Sequence, residues 1–227
     1  MNIKFGDLAL VKSIIYSSVD SKTLLFLSGG KTPQELYADF AKEKKLSVGA
    51  VALVDERFGF ANHSGSNEKM MRKTGLPSYL EEMGIEFFPI LRSHLEGVKL
   101  DLEGTAQAYD KTVLQLMRRF EKKVAIMGIG EDGHTASLPA GIQNSNFKNQ
   151  NYVIGIENFP GEFRKRITLT FKALSEMNKL IVLVFGENKK NALKKMFEKG
   201  SIGEIPARFY SKPEIAAKTL LITDQKI

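Results

Sequence analysis

Short apolar runs punctuate the chain at Thr23–Leu27, Ala50–Val54, Ile85–Ile90, Val124–Met127, Tyr152–Ile156, Ile167–Thr170, Leu180–Phe185 and Thr219–Thr223. Most are continuously apolar rather than alternating, which suits strands covered on both faces, as in a parallel sheet. Segments with helical spacing lie between them. Pro33–Lys42 puts Leu36, Tyr37 and Phe40 on one side, and Thr105–Phe120 aligns Ala106, Tyr109, Val113, Leu116 and Phe120. Asn188–Lys199 opens after Gly186 and is expected to bury Leu193, Met196 and Phe197. Strand followed by helix, several times over, predicts an α/β domain around a largely parallel sheet. No repeat and no Pro- or Gly/Ser-rich linker divides the chain, so residues 1–227 are expected to form one domain.

Composition narrows the class without choosing a function. With 43% hydrophobic and 26% charged residues the chain is neither disordered nor fibrous. Its apolar runs fall far short of the ~18–20 residues of a membrane span. No basic segment followed by a long apolar core marks a secretory signal in Met1–Leu10. The absence of cysteine excludes disulfides, thiolate zinc sites and a thiol nucleophile, and fits a reducing, cytoplasmic setting. Lys and Arg number 33 against 26 Asp and Glu, a net charge of +7. That excess suits nucleic acid, anionic lipid or a phosphorylated substrate. The cations are dispersed and no nucleic-acid module is evident, so a nucleic-acid partner is not expected.

Ligands of open α/β sheets sit at the carboxyl ends of the strands, which makes the loops there informative. Ser28-Gly29-Gly30-Lys31-Thr32-Pro33 follows the first of these runs. Thr32 before Pro33 reads as an N-cap and first helical residue, and a helix N-terminus attracts phosphate. A plain strand-to-helix turn explains the same residues. Asp55-Glu56-Arg57 follows the second run, with Ser66-Asn67 opening a helical segment, Glu68–Lys73. Arg57 is shaped for bidentate phosphate binding; an Asp–Arg bridge with Ser66 as helix cap is the alternative. His63 in this polar loop is expected to be exposed, and His94 carries no functional reading.

The sharpest segment is Gly128-Ile129-Gly130-Glu131-Asp132-Gly133-His134, continuing Thr135-Ala136-Ser137-Leu138-Pro139. Glycine N–H groups there can meet an oxyanion. An imidazole titrates near neutrality and can take a proton from water, and Asp132 can fix its tautomer. Arg164-Lys165-Arg166, and Lys189 after Gly186, bring further cations to bear.

In this order, together with Arg166-Ile167-Thr168-Leu169-Thr170 and Pro206-Ala207, these segments resemble the 6-phosphogluconolactonase family over about residues 23–210. That family belongs with the glucosamine-6-phosphate deaminases and related sugar-phosphate isomerases. The resemblance implies a Rossmann-like, mainly parallel sheet flanked by helices. It implies hydrolysis of 6-phospho-D-glucono-1,5-lactone to 6-phosphogluconate, in the oxidative pentose phosphate pathway, without metal or cofactor. In that reading His134 is the general base and Asp132 orients it. Arg57 and Lys189 hold the phosphate, with Arg166 and Gly29, Gly30, Lys31 and Thr32 assisting, and Asp55, Asn67 and Gly130 complete the substrate contacts. A small phosphosugar lactone is then the only partner expected, with the chain a monomer or a homodimer.

Three departures from the lactonase pattern fall on the rim: Lys31 in place of a serine, Gly59-Phe60 in place of Val-Pro, and Pro139-Ala140-Gly141 in place of Phe-Pro-Gly. Deaminases continue Asp-Gly-His with a segment that supplies a glutamate, absent after His134, and favour Asp-Glu-Tyr over Asp-Glu-Arg. A sugar-phosphate deaminase or isomerase is therefore the second reading, and a non-catalytic anion-binding protein the third.

Overall fold

The computed structural model describes residues 1–91, 101–142 and 151–226; His94 lies outside the described residues. Seven strands form an all-parallel sheet: β1 (Asn2–Phe5), β2 (Thr23–Leu27), β3 (Ala50–Leu53), β5 (Glu86–Phe88), β6 (Lys122–Gly128), β9 (Lys179–Val184) and β10 (Thr219–Thr223). Their order is β1-β10-β9-β6-β2-β3-β5. Every residue of β2, β3 and β10 is buried, as the continuous apolar runs require. Helices α1 (Leu8–Ser18), α2 (Lys31–Glu43), α3 (Asn67–Lys73), α4 (Leu76–Glu82), α5 (Leu102–Arg119), α6 (Phe171–Ser175), α7 (Lys190–Phe197) and α8 (Pro213–Ala216) flank it.

The expected stripes are core. Leu36, Tyr37 and Phe40 of α2 have no exposed surface, and Ala106, Tyr109, Val113 and Leu116 of α5 are buried. Burial of each large apolar side chain contributes about 1.5–3 kcal/mol. Asp101 caps α5 through Gly104 N at 2.8 Å, worth ~1 kcal/mol. On α7 the stripe is Ala192, Leu193 and Met196, whereas Phe197 is 41% exposed. That helix begins only after a 3-10 turn at Glu187–Lys189, and Phe197 is its last residue.

A second sheet holds the two runs that do not join the first. β4 (Asp55–Arg57), β8 (Arg166–Leu169) and β7 (Val153–Ile156) are antiparallel in the order β4-β8-β7. Nine residues separate β7 from β8, too few for the crossover of a dozen or more that parallel neighbours need. Val54 joins the two sheets. Its N–H donates to Leu27 O in the parallel sheet at 2.9 Å, and its C=O accepts from Leu169 N in the antiparallel one at 2.9 Å.

From β2 the chain adds β3 and β5 on one side, then crosses to add β6, β9 and β10 on the other. Neighbouring crossovers thus diverge between β2 and β6, leaving a crevice at their carboxyl ends. The two Gly-rich loops singled out in the sequence leave those two strands.

Candidate active site

A cleft of about 490 Å³ opens at this divergence. It is lined by Gly29, Gly30, Lys31, Thr32, Asp55, Arg57, Asn67, Gly130, His134, Arg166 and Lys189. Asp132, the remaining residue nominated from the sequence, stands behind His134.

The loop after β6 is built to present the imidazole. Gly130 N donates to His134 O at 2.8 Å and Gly133 N to Gly130 O at 3.0 Å, closing a tight turn. Gly133 has φ +87°, and a Cβ on Gly130 would lie 2.1 Å from the His134 ring; both positions need glycine. Asp132 Oδ1 accepts from His134 Nδ1 at 2.6 Å and from His134 N at 3.1 Å. An ionised carboxylate only accepts, so Nδ1 carries the proton and Nε2 the lone pair. The imidazole hydrogen bond holds the Asp132 carboxyl down at about 2, against the opposing effect of partial burial.

A carboxyl with a lowered folded-state pKa stabilises fully above its ordinary value, ~3.9, and loses that contribution as pH falls through the folded value. The denaturation midpoints of wild type and Asp132→Asn should therefore converge as pH falls from about 5 toward about 2. A difference that persists unchanged at the acid end, measured by urea unfolding, contradicts this account of the pair.

Beyond His134, Ala136 adopts the left-handed region at φ 51°, a strained conformation for a residue with a Cβ. Hydrogen bonds hold it from both sides. Thr135 Oγ1 donates to Gly128 O at 2.9 Å and lies 2.5 Å from the Tyr210 hydroxyl. Ser137 Oγ donates to Asp55 Oδ2 at 2.5 Å. Ala207 N donates to Gly133 O at 3.0 Å, which is the structural use of the Pro206-Ala207 segment.

The loop after β2 turns into α2 two residues earlier than Thr32-Pro33 suggests. Gly30, at φ 116°, is the N-cap and α2 starts at Lys31; Thr32 lies inside the first turn. Glycine alone adopts that φ without strain, and it overrides the threonine signal. No side chain caps this turn, so its first N–H groups lack partners of the kind helices ordinarily supply. Tyr37 OH anchors the loop at Ser28 O, 2.8 Å. Gly29 packs so closely on Asn67 that a Cβ would lie 2.0 Å from Asn67 Oδ1.

Opposite stands the antiparallel sheet. Glu56 is fully buried and accepts from Arg57 N at 2.6 Å, Asn67 N at 2.7 Å, Glu68 N at 2.9 Å and Ser66 Oγ at 3.0 Å. Burial pushes its carboxyl up, and those donors pull it back. Ser66 caps α3 through Lys69 N, as expected. Asn67 Nδ2 donates to Asp55 O at 2.9 Å.

Arg57 and Arg166 face each other directly across the β4–β8 ladder. Like charges in that position repel, and among the described residues neither guanidinium has a carboxylate within ion-pair distance. Arg57 Nη1 donates to Gly65 O at 2.7 Å, and Arg166 Nε to Phe163 O at 2.7 Å. Burial, then Arg57, lowers the Arg166 pKa. Arg166 lies over the Phe159 ring at 4.4 Å, and the same ring meets His134 edge-on at 5.1 Å. Three polar atoms of residues lining the cleft, Ser28 Oγ, Arg57 Nε and Asn67 Oδ1, are buried without a hydrogen-bond partner among the described residues. Two juxtaposed cations beside the uncapped start of α2 describe a site suited to an anionic, oxygen-rich ligand.

A profile of the glucosamine-6-phosphate isomerase/6-phosphogluconolactonase family matches residues 10–220. The chain belongs to that family. The 6-phosphogluconolactonase of Chlamydia pneumoniae is 31% identical over 175 residues, 75% of this chain and 63% of the relative, so the match spans somewhat under two thirds of that protein's length. The 6-phosphogluconolactonase of Helicobacter pylori J99 is 29% identical over 182 residues, 79% of this chain and 74% of the relative. The crystal structure of 6-phosphogluconolactonase from Thermotoga maritima superposes with a TM-score of 0.77 at 23% identity, covering 98% of both chains. The Rossmann-like, mainly parallel fold expected from the resemblance is thereby shown.

Several cleft residues of this family member had no signal in the sequence. Phe159, Phe185 and Asn188 line the cleft, and Asn188 Nδ2 reaches Glu131 Oε1 at 2.6 Å, linking the loops after β9 and β6. Their neighbours in space are distant in the chain, and a hydrophobic pattern does not report such pairs. His63 is a correction: it is only 7% exposed, because Phe60 and Phe163 pack against its ring. Among the described residues no group of His, Asp and Glu could hold a metal ion, and no helix is long and apolar enough to cross a membrane.

Proposed function

We propose that the protein hydrolyses 6-phospho-D-glucono-1,5-lactone to 6-phosphogluconate, the second step of the oxidative pentose phosphate pathway. The observation that carries this reading is one cleft shared by a His134–Asp132 pair and an Arg57–Arg166 pair that has no close ion-pair partner among the described residues. The first suits proton transfer, the second a dianionic phosphate.

His134 Nε2 takes a proton from water as the oxygen attacks C1. The tetrahedral intermediate carries an oxyanion. When it collapses, the C1–O5 bond breaks, and the imidazolium returns its proton to O5. Asp132, ionised throughout, stabilises the imidazolium and holds the ring in place. Arg57 and Lys189 hold the phosphate, assisted by Arg166. Gly130 N already donates to His134 O, so the uncapped first turn of α2 is the better source of N–H groups for the oxyanion.

The test is a coupled assay in which glucose-6-phosphate dehydrogenase generates the lactone in situ. Lactone loss well above its spontaneous decay, with no ammonia released from glucosamine 6-phosphate, supports the lactonase; ammonia release makes the chain a deaminase. Replacing Arg57 by alanine removes a contact made equally to substrate and transition state, so KM should rise at least about tenfold while kcat changes little. Unchanged KM and kcat would remove Arg57 from the site.

A further inference from the structure

We infer that His63 is the positioning residue for Arg57, and that its neutral imidazole sets the aim of that guanidinium toward the substrate phosphate. The inference rests on the reading of Arg57 as a phosphate contact. Three hydrogen bonds form a closed circuit around the loop that follows β4. His63 Nε2 lies 2.9 Å from Arg57 O, and Gly65 N lies 3.2 Å from His63 Nδ1. Gly65 O accepts from Arg57 Nη1 at 2.7 Å.

Donor and acceptor roles in this circuit are fixed. A backbone N–H only donates, so Nδ1 carries the lone pair and Nε2 carries the proton that goes to Arg57 O. The imidazole thus spans the neck of the loop, tying the last residue of β4 to Gly65, whose carbonyl in turn seats the guanidinium. With Nη1 held at Gly65 O, the guanidinium is fixed at the wall of the cleft that Arg57 lines.

Packing holds the ring in that role. Phe60 and Phe163 flank it with ring centroids each 5.7 Å away. Glycines make the fit possible: a Cβ on Gly59 would lie 2.9 Å from His63 Cδ2, and one on Gly65 would lie 2.2 Å from the Phe163 ring. His63 N also donates to Phe60 O at 3.2 Å, and Ser66 N to His63 O at 3.0 Å. The loop is a small bracket with the imidazole as its crosspiece. His63 does not line the cleft, so it acts only through Arg57.

Three variants separate positioning from general structural support. His63→Leu removes both ring hydrogen bonds and keeps an apolar side chain between the phenylalanines. His63→Asn keeps an acceptor near Nδ1, and His63→Gln keeps a donor near Nε2. With the lactone generated in situ, His63→Leu is expected to raise KM about tenfold and leave kcat within about twofold. Asn and Gln should fall between Leu and wild type. In a double-mutant cycle, Arg57→Ala with His63→Leu should be no worse than Arg57→Ala alone.

An unchanged KM, a kcat loss matching the KM rise, or additive effects in the cycle would each overturn the role. Should His63→Leu fail to fold, the Asn and Gln variants make the same KM-against-kcat comparison and the same cycle. Wild-type protein that does not accelerate lactone hydrolysis overturns the functional reading and this one together. Active wild type with an insensitive His63 overturns this one alone.

Discussion

Replacing His134 by alanine is expected to lower lactone hydrolysis by about 10²–10⁴-fold, the contribution of a positioned general base. In barrier terms that is about 3–5.5 kcal/mol. The loss should appear in kcat more than in KM, because the proton moves only in the transition state. Spontaneous decay of the lactone must be subtracted, since a lactone is an activated ester with a background rate of its own. A corrected rate within about threefold of wild type would exclude His134 as the base, because general-base catalysis is worth far more. The fold should survive the change: the ring is held mainly by Asp132 and the edge of Phe159 at the cleft wall, not within the core.

The second large effect concerns stability. Glu56 has no exposed surface, and its carboxylate is the shared acceptor of three backbone N–H groups and the Ser66 hydroxyl. Glu56→Ala leaves four buried donors without a partner. Each unsatisfied group costs about 1–3 kcal/mol, partly relieved where water enters. A net loss of about 3–5 kcal/mol is expected, at the upper end for single substitutions. For a chain of this size that lowers Tm by on the order of 10 °C. Denaturant unfolding of wild type and variant measures it directly, and a difference below about 1 kcal/mol would show that the donors find other partners. Asn67, whose N–H and side chain sit between Glu56 and Asp55, should lose its place as well.

Much of this architecture was legible from apolar runs alone. The runs at Thr23–Leu27 and Thr219–Thr223 match β2 and β10 residue for residue, because continuous burial leaves a continuous apolar signature. α5 showed in its spacing for the same reason. β1 did not, since its polar–apolar alternation, Asn2-Ile3-Lys4-Phe5, is only four residues long and all four are exposed at the sheet edge. α1 was missed although Asp7 gives a sound cap signal, accepting from Ala9 N and Leu10 N. β4 is three residues long, shorter than any periodicity can resolve.

The site was legible where chemistry is local in the chain. Asp132 and His134 are two residues apart, and their pairing follows from the Gly-rich turn between them. It was not legible where contacts are long-range. Ser137 meets Asp55 across 82 positions, and Tyr210 reaches Thr135 across 75. His63 read as a polar-loop residue because Phe163, which helps to cover it, lies far along the chain.

Val54 has a consequence for which substrates can fit. A single residue splices the sheet that carries the imidazole to the sheet that carries the guanidiniums, with one hydrogen bond into each. The two halves of the cleft therefore meet at one shared residue, and on the proposed lactonase reading the span between proton acceptor and cations acts as a gauge of substrate length. A molecule is measured against it by the distance from its carbonyl carbon to its phosphorus. Lactones one carbon shorter or longer would seat one end and miss the other, so discrimination by length needs no additional contact along the sugar.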